Sequence, residues 1–230
     1  MALYAMGDLH LSLGGDKSME VFGEAWRDYV ERIRAGFSPL QEDDVTVLCG
    51  DLSWGMSLEE ALPDLRFIDA LPGRKILMKG NHDFWWNTAA KMRRFFADND
   101  LHTLEILHNN CLWYGDMALC GTRGWFYELE GPERSHNEKM LAREAGRLET
   151  SLQAAGAAGK LCFLHYPPIY QGYQCPEILQ ILIRYGVAAC YYGHLHGATQ
   201  RRAMEGERFG VDFSLVAADY LQFVPKKICD

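Results

Sequence analysis

The sequence predicts an α/β fold in which strands and helices alternate and neighbouring strands run parallel. Two observations carry this. Short apolar, β-branched runs recur between segments whose apolar residues fall at helical spacing. Five of the eight histidines sit in motifs that each follow such a run. The motifs come in the order Asp8-Leu9-His10, Gly50-Asp51, Gly80-Asn81-His82-Asp83, His165 and Gly193-His194-Leu195-His196. In open α/β sheets, ligands gather at the carboxyl ends of strands, and every one of these motifs falls at such an end.

Taken in order, residues 3–6 read as the first strand. Residues 19–34 carry Phe22, Trp26, Tyr29, Val30 and Ile33 at helical spacing and predict a helix. Residues 44–48 (DVTVL) form a buried strand. Leu58, Ala61, Leu62, Leu65 and Ile68 mark a helix that starts at a Ser57 cap and stops at Pro72-Gly73. Residues 75–79 are a third strand, and 88–97 a basic helix with Lys91, Arg93 and Arg94.

Between 100 and 125 the pattern changes. Short apolar pieces at 103–107, 111–114 and 117–120 are broken by Asn109-Asn110 and Gly115-Asp116, both hairpin signals. Residues 124–136 are loop-like and aromatic. A long helix over 137–155 presents Leu141, Ala145, Leu148, Leu152 and Ala155 on one face. A strand at 161–164 leads to His165, a short helix spans Ile178 to Tyr185, and a strand at 187–192 leads to Gly193. Residues 208–211 and 213–217 read as a closing antiparallel pair. No repeat or linker interrupts the chain, so 1–230 is expected to be one domain, with 100–159 a candidate substrate-determining insertion.

At 48% hydrophobic and 23% charged residues, the composition is that of a soluble globular protein. A net charge of −8 argues against an extended nucleic-acid surface, since phosphate backbones are bound mainly by Lys and Arg. A small phosphorylated ligand, a nucleotide included, needs only a local cationic pocket or a metal pair. Seven scattered cysteines without C-x-x-C spacing point to reduced thiols and a cytoplasmic setting. The opening residues do not read as a signal peptide, and no apolar run approaches the ~20 residues of a membrane span. Oligomeric state is not legible.

Each motif alone is weak, since Gly-Asp is usually a turn and a lone histidine is usually a satisfied core residue. The ordered set is not weak. At a strand end, residues i and i+2 point the same way, so Asp8 with His10, and His194 with His196, can approach one centre. Carboxylate, amide and imidazole donors without thiolate suit Mn, Fe or Zn better than a structural zinc site.

In this order the motifs resemble the signature of calcineurin-like metallophosphoesterases, over residues 8 to 196. The resemblance implies a four-layer αββα sandwich, two packed mixed β-sheets flanked by helices. Periodicity alone leaves a single doubly wound sheet equally open. It implies that Asp8, His10, Asp51 and His196 hold one metal and that Asp51, Asn81, His165 and His194 hold a second, with Asp51 bridging. The ions would be two divalent or trivalent transition metals, Mn, Fe or Zn. The implied reaction is hydrolysis of a phosphomonoester or phosphodiester by metal-bound hydroxide. His82 would be the catalytic residue that protonates the leaving-group oxygen.

The resemblance is to the small bacterial-type branch rather than to Ser/Thr protein phosphatases. Those carry Gly-Asp-x-x-Asp-Arg-Gly, where this chain has Gly50-Asp51-Leu52-Ser53-Trp54-Gly55. They also carry Glu at the position of Asp83, so what orients His82 is left open. Arg123, Arg134 and His136 are candidate substrate-phosphate ligands. Phe84, Trp85 and Trp86, and the run Trp125-Phe126-Tyr127, could stack on a base but are expected to pack between the sheet and the long helix. The alternatives to a small-molecule phosphoesterase are a non-catalytic scaffold, a protein phosphatase or a nuclease.

Overall fold

Apolar side chains alternate along the central strands, and each strand therefore has two buried faces. Leu3 and Ala5 point one way, Tyr4 and Met6 the other; Leu161 and Phe163 oppose Cys162 and Leu164. A sheet that is apolar on both faces must be covered on both. The computed structural model, which describes residues 1–125 and 134–230 with side chains from 136 onward in the second stretch, shows how.

The elements of the first half are β1 (Leu3–Met6), α1 (Tyr29–Phe37), β2 (Val45–Leu48), α2 (Leu58–Asp69), β3 (Arg74–Leu77), α3 (Ala89–Asp98) and β4 (Leu104–Ile106). Then follow β5 (Cys111–Tyr114), β6 (Met117–Thr122), α4 (Arg134–Ala154), β7 (Lys160–Leu164), β8 (Ile169–Tyr170) and β9 (Tyr173–Gln174). The chain closes with α5 (Pro176–Arg184), β10 (Val187–Tyr192), β11 (Gly206–Arg208), β12 (Val211–Leu215) and β13 (Lys226–Cys229).

Two large mixed sheets result, in the orders β13-β1-β2-β3-β4 and β11-β12-β10-β7-β6-β5. Strands β1 to β4 run parallel, as do β6, β7, β10 and β12; only the edge strands β13, β11 and β5 are antiparallel. Leu3, Val47, Ile76, Leu119, Phe163 and Val216 fill the layer between the sheets. Outside the first sheet, Ile33 and Phe37 of α1, Leu65 and Ile68 of α2 and Met92 and Phe96 of α3 form a second core. Outside the second sheet, Leu141, Leu148 and Leu152 of α4 pack with Ile178 and Leu182 of α5. This is the four-layer αββα arrangement.

A row of four thiols crosses the second sheet, with Cys111 opposite Cys120, Cys120 opposite Cys162 and Cys162 opposite Cys190. All seven cysteines are free.

Several expectations shift. The helix expected over 19–34 begins only at Tyr29. Gly23 (φ 107°) and Asp28 (φ 51°) stand in left-handed backbone that a helix cannot accommodate, and two short 3-10 turns, Met19–Phe22 and Glu24–Trp26, replace its front half. Asn109-Asn110 is not a hairpin, because β4 and β5 lie in different sheets; Gly115-Asp116 is one, joining β5 to β6. The closing antiparallel pair is β11 with β12, turning at Phe209-Gly210, and Val211 opens the second strand. Trp85 and Trp86 are buried, but under α3 rather than under the long helix. No described helix is long and apolar enough to cross a membrane.

Candidate metal centre

The loops after β1 and β2 continue the parallel pairing past the end of the sheet. Asp8 N–H donates to Gly50 O (2.8 Å), His10 N–H to Asp51 O (2.9 Å) and Leu11 N–H to Leu52 O (3.0 Å). To turn side chains toward one point, Asp8 (φ 60°), His10 (φ 47°), Asp51 (φ 52°) and His194 (φ 74°) all adopt left-handed backbone. Such conformations are costly for non-glycine residues and cluster at functional sites. The second sheet meets the first here, with Gly7 N–H donating to Val216 O (2.7 Å) and Ala218 N–H to Gly7 O (2.9 Å).

Two glycines of the motifs are there for space. A Cβ on Gly80 would lie 2.0 Å from Asp51 Oδ1, and one on Gly193 would lie 2.3 Å from Asp8 Oδ2. Both carboxylates rest against bare backbone.

Asp51 Oδ2 lies between two imidazoles, 3.7 Å from His10 Nε2 and 3.6 Å from His165 Nε2. On one side, His196 Nε2 is 3.3 Å from His10 Nε2 and 3.5 Å from Asp8 Oδ1. On the other, Asn81 Oδ1 is 2.6 Å from His165 Nε2. The His194 ring stands 5.2 Å from that of His165, centre to centre, and its backbone N–H donates to Asp8. The structure thus brings Asp8, His10, Asp51, Asn81, His165, His194 and His196 together. Their donors form two groups, Asp8 with His10 and His196, and Asp8 with Asp51 and His165.

These residues fit a pair of cations. His165 Nδ1 faces the Cys49 carbonyl at 3.1 Å and must donate to it. Burial keeps the ring neutral, with its pKa lowered to about 3. Nε2 therefore carries a lone pair aimed at the Asn81 oxygen, and two acceptors at that distance need a positive charge shared between them. Burial and the carboxylates of Asp83 and Asp8 push Asp51 up to about 9, so an ionised Asp51 needs cationic neighbours. Burial likewise lowers His10 to about 3 and His194 to about 4, keeping both rings neutral. Burial also works to lower His196, but the Asp8 and Asp219 carboxylates raise it to about 10.

Three further residues contribute that were not among the expected site residues. Asp219 accepts from His196 Nδ1 at 2.9 Å, leaving Nε2 to face the centre; the one signal was an acid just past the apolar run 213–217. Asp83 is buried and accepts from the N–H groups of Asp51, Leu52, Ser53 and Gly80 and from Trp85 Nε1. It ties the second and third motifs to each other. Trp54 lies against both imidazoles, stacked on His10 at 5.1 Å and 4.5 Å from His82. His82 itself is half-buried, 5.7 Å from His10 between ring centres, and burial holds its pKa below the ordinary value.

Two of the expected phosphate ligands have described side chains, and Arg123 borders the centre through its carbonyl, which accepts from His165 N–H (3.1 Å). Arg123 reaches Glu144 (3.5 Å) and lies over Trp125. His136 is exposed, its ring 6.5 Å from Trp125. The Arg134 side chain, and Phe126 and Tyr127, lie outside the described residues.

A family model described as calcineurin-like phosphoesterase matches residues 1–198. No curated protein matches the sequence. Among solved structures, phosphopantetheinyl hydrolase from Mycobacterium tuberculosis has a TM-score of 0.60 at 13% identity, covering 99% of this chain and 95% of that one. A protein of unknown function from Aquifex aeolicus has a TM-score of 0.52, also at 13% identity, covering 98% and 95%. At that identity the likeness is one of fold.

Proposed function

This chain belongs to the calcineurin-like phosphoesterase family, and from that premise we propose that it hydrolyses a small phosphoester at a centre built for two transition-metal cations. Asp8, His10, Asp51 and His196 would hold one, and Asp51, Asn81, His165 and His194 the other. The observation that carries the reading is Asp51 Oδ2 standing between His10 and His165. A bound pair would supply Lewis acidity, polarising the phosphoryl oxygens and bringing the pKa of a water into the neutral range.

The protein's own groups do the rest. Asp51, shared between the two donor sets, would hold them in register. The Cys49 carbonyl and the Asp219 carboxylate set the tautomers of His165 and His196. His82, in the mouth of the site, gives its proton to the departing oxygen. An anionic phosphoryl group beside it favours the protonated imidazole that this requires. Water's oxygen bonds to phosphorus as the ester P–O bond breaks. The donor set supports Mn, Fe or Zn, and seven free thiols support a reducing, cytoplasmic compartment.

The test is metal analysis with a Mn²⁺-supplemented screen of aryl phosphate, aryl phosphodiesters and nucleotides. About two ions per chain and EDTA-sensitive turnover are expected. Asp51→Asn should lose at least one ion and cut kcat at least a hundredfold. In EDTA its thermal midpoint should equal or exceed that of wild type, because the buried carboxyl is gone and Asn tolerates φ 52°. A protein that loads two ions yet turns over no phosphoester is a scaffold, and the reading fails.

A further inference from the structure

Two cavities open from the centre, and His196 lines both. One, of about 370 Å³, has His10, His82 and His196 at its floor. Its walls are Trp26, Trp54, Met19 and Phe22. Trp26 meets the rings of His10 and His196 edge-on at 5.9 and 5.7 Å. Phe22 is 68% exposed over the opening. Met19, Phe22 and Trp26 come from the broken helix front, where Gly23 and Asp28 fold the chain across the site instead of along α1.

The other cavity, of about 400 Å³, runs out from His194 and His196 past Tyr170 and Thr199 to Arg202. Arg202 is exposed, and no carboxylate pairs with it among the described residues. The two cavities are chemically unlike. One is walled by aromatic rings; the other, lined by Pro167, Tyr170, Leu195 and Thr199, ends at the Arg202 guanidinium. His82 borders only the aromatic one.

We propose that the substrate is a phosphodiester with two unlike arms. A planar aromatic alcohol lies against Trp26 and Phe22 and departs on the His82 side, while a polar or anionic arm stays beside Arg202. The inference rests on the phosphoesterase reading and settles the choice between monoester and diester. A monoester would use only one of the two cavities. In the reaction, the P–O bond to the planar alcohol breaks and its electron pair stays on that oxygen. The oxygen takes a proton from His82. One water supplies the oxygen that joins phosphorus, and its proton restores His82. Ligand cavities commonly run about 300–1,000 Å³, so the aromatic slot suits one or two fused rings.

The test compares phosphodiesters that share one anionic arm and differ in the departing alcohol, 2-naphthylmethanol against methanol. Both are unactivated alkyl alcohols, so kcat/KM reads recognition of the ring. At least a tenfold preference for the naphthylmethyl ester is expected. Phe22→Ala should reduce that ratio about fivefold, whereas Ile183→Ala, on the far helix α5, should leave it unchanged. Binding gives a second readout. By calorimetry, 2-naphthylmethyl phosphonate should bind Phe22→Ala at least threefold more weakly than wild type. Arg202→Ala should raise KM about tenfold for an anionic retained arm and little for a methyl one. Turnover of the methyl ester without preference for the naphthylmethyl ester overturns the proposal, as does faster cleavage of 2-naphthylmethyl monophosphate than of the diester. No turnover of any ester by metal-loaded protein removes the phosphoesterase reading itself.

Discussion

Asp219 shows how much a single side chain outside the motifs can matter. Its carboxylate holds His196 through Nδ1, and groups that orient a metal-binding imidazole this way typically contribute 10–100-fold in metal affinity. Asp219→Ala should weaken cation binding by about that factor, read by competition with a fluorescent chelator; unchanged affinity would mean that packing alone holds the ring. The candidate ligand residues were legible because their motifs recur in order just past strand ends, although Asp8, His10 and His194 converge through left-handed backbone rather than through strand alternation. Asp219 and Trp26 were not, because they reach the centre only through the tertiary fold. Trp54 was read as the absence of a phosphatase aspartate. In the structure it fills that place as an aromatic support for His10 and His82.

Helices and strands make their own demands. Gly36 sits inside α1, where alanine would ordinarily favour the helix by roughly 1 kcal/mol. Here a Cβ would lie 2.0 Å from the Phe223 carbonyl oxygen, so α1 docks on that backbone only with glycine. Gly36→Ala should lower stability by about 2 kcal/mol or more in urea titration, the reverse of the propensity rule. In α2, Asp64 is buried and accepts from Leu13 N–H (2.7 Å) and Ser53 Oγ (2.5 Å). Burial raises its pKa, with both hydrogen bonds pulling the other way. The folded protein therefore holds this proton more tightly than the unfolded chain does. The group's contribution to stability is fully present below the ordinary carboxyl value and is lost as pH rises through the folded one. Asp64→Asn should remove that slope, so its stability relative to wild type improves from about pH 4 to pH 7; parallel urea midpoints across that range would contradict this. The helix expected at 19–34 failed for a local reason of the same kind, since apolar spacing cannot reveal left-handed backbone at Gly23 and Asp28.

At the scale of the molecule, the alternation of strand and helix was readable, and so was the parallel direction of the central strands. Partition into two sheets was implied by the motif resemblance and not by periodicity, because a period of two and a β-α-β order look the same in either case. Asn109-Asn110 marks a break without saying which sheet the chain enters next. β13 escaped notice because it is a polar edge strand, carrying Lys226 and Lys227 against β1. The partition has a thermodynamic signature. The first sheet's loops supply Asp8, His10, Asp51 and Asn81, and the second's supply His165, His194 and His196. Cations bound across them would stabilise only the docked pair. At a hundred times its dissociation constant, each site adds about 2.7 kcal/mol. Chelation should therefore lower the thermal midpoint by about 5 °C or more, and a melt indifferent to EDTA would show that the ions do not bridge the layers.

The bond between Gly7 and Val216 has a consequence for how such a protein can be tuned. It pins the two β-layers together at the very edge where the reacting groups converge. Sliding one layer over the other by a fraction of an ångström would alter the gap between the two halves of the donor set, while both hydrophobic interiors stayed intact. Turnover is then a ruler laid across the joint, able to register changes in distant packing well before any loss of folded protein is measurable.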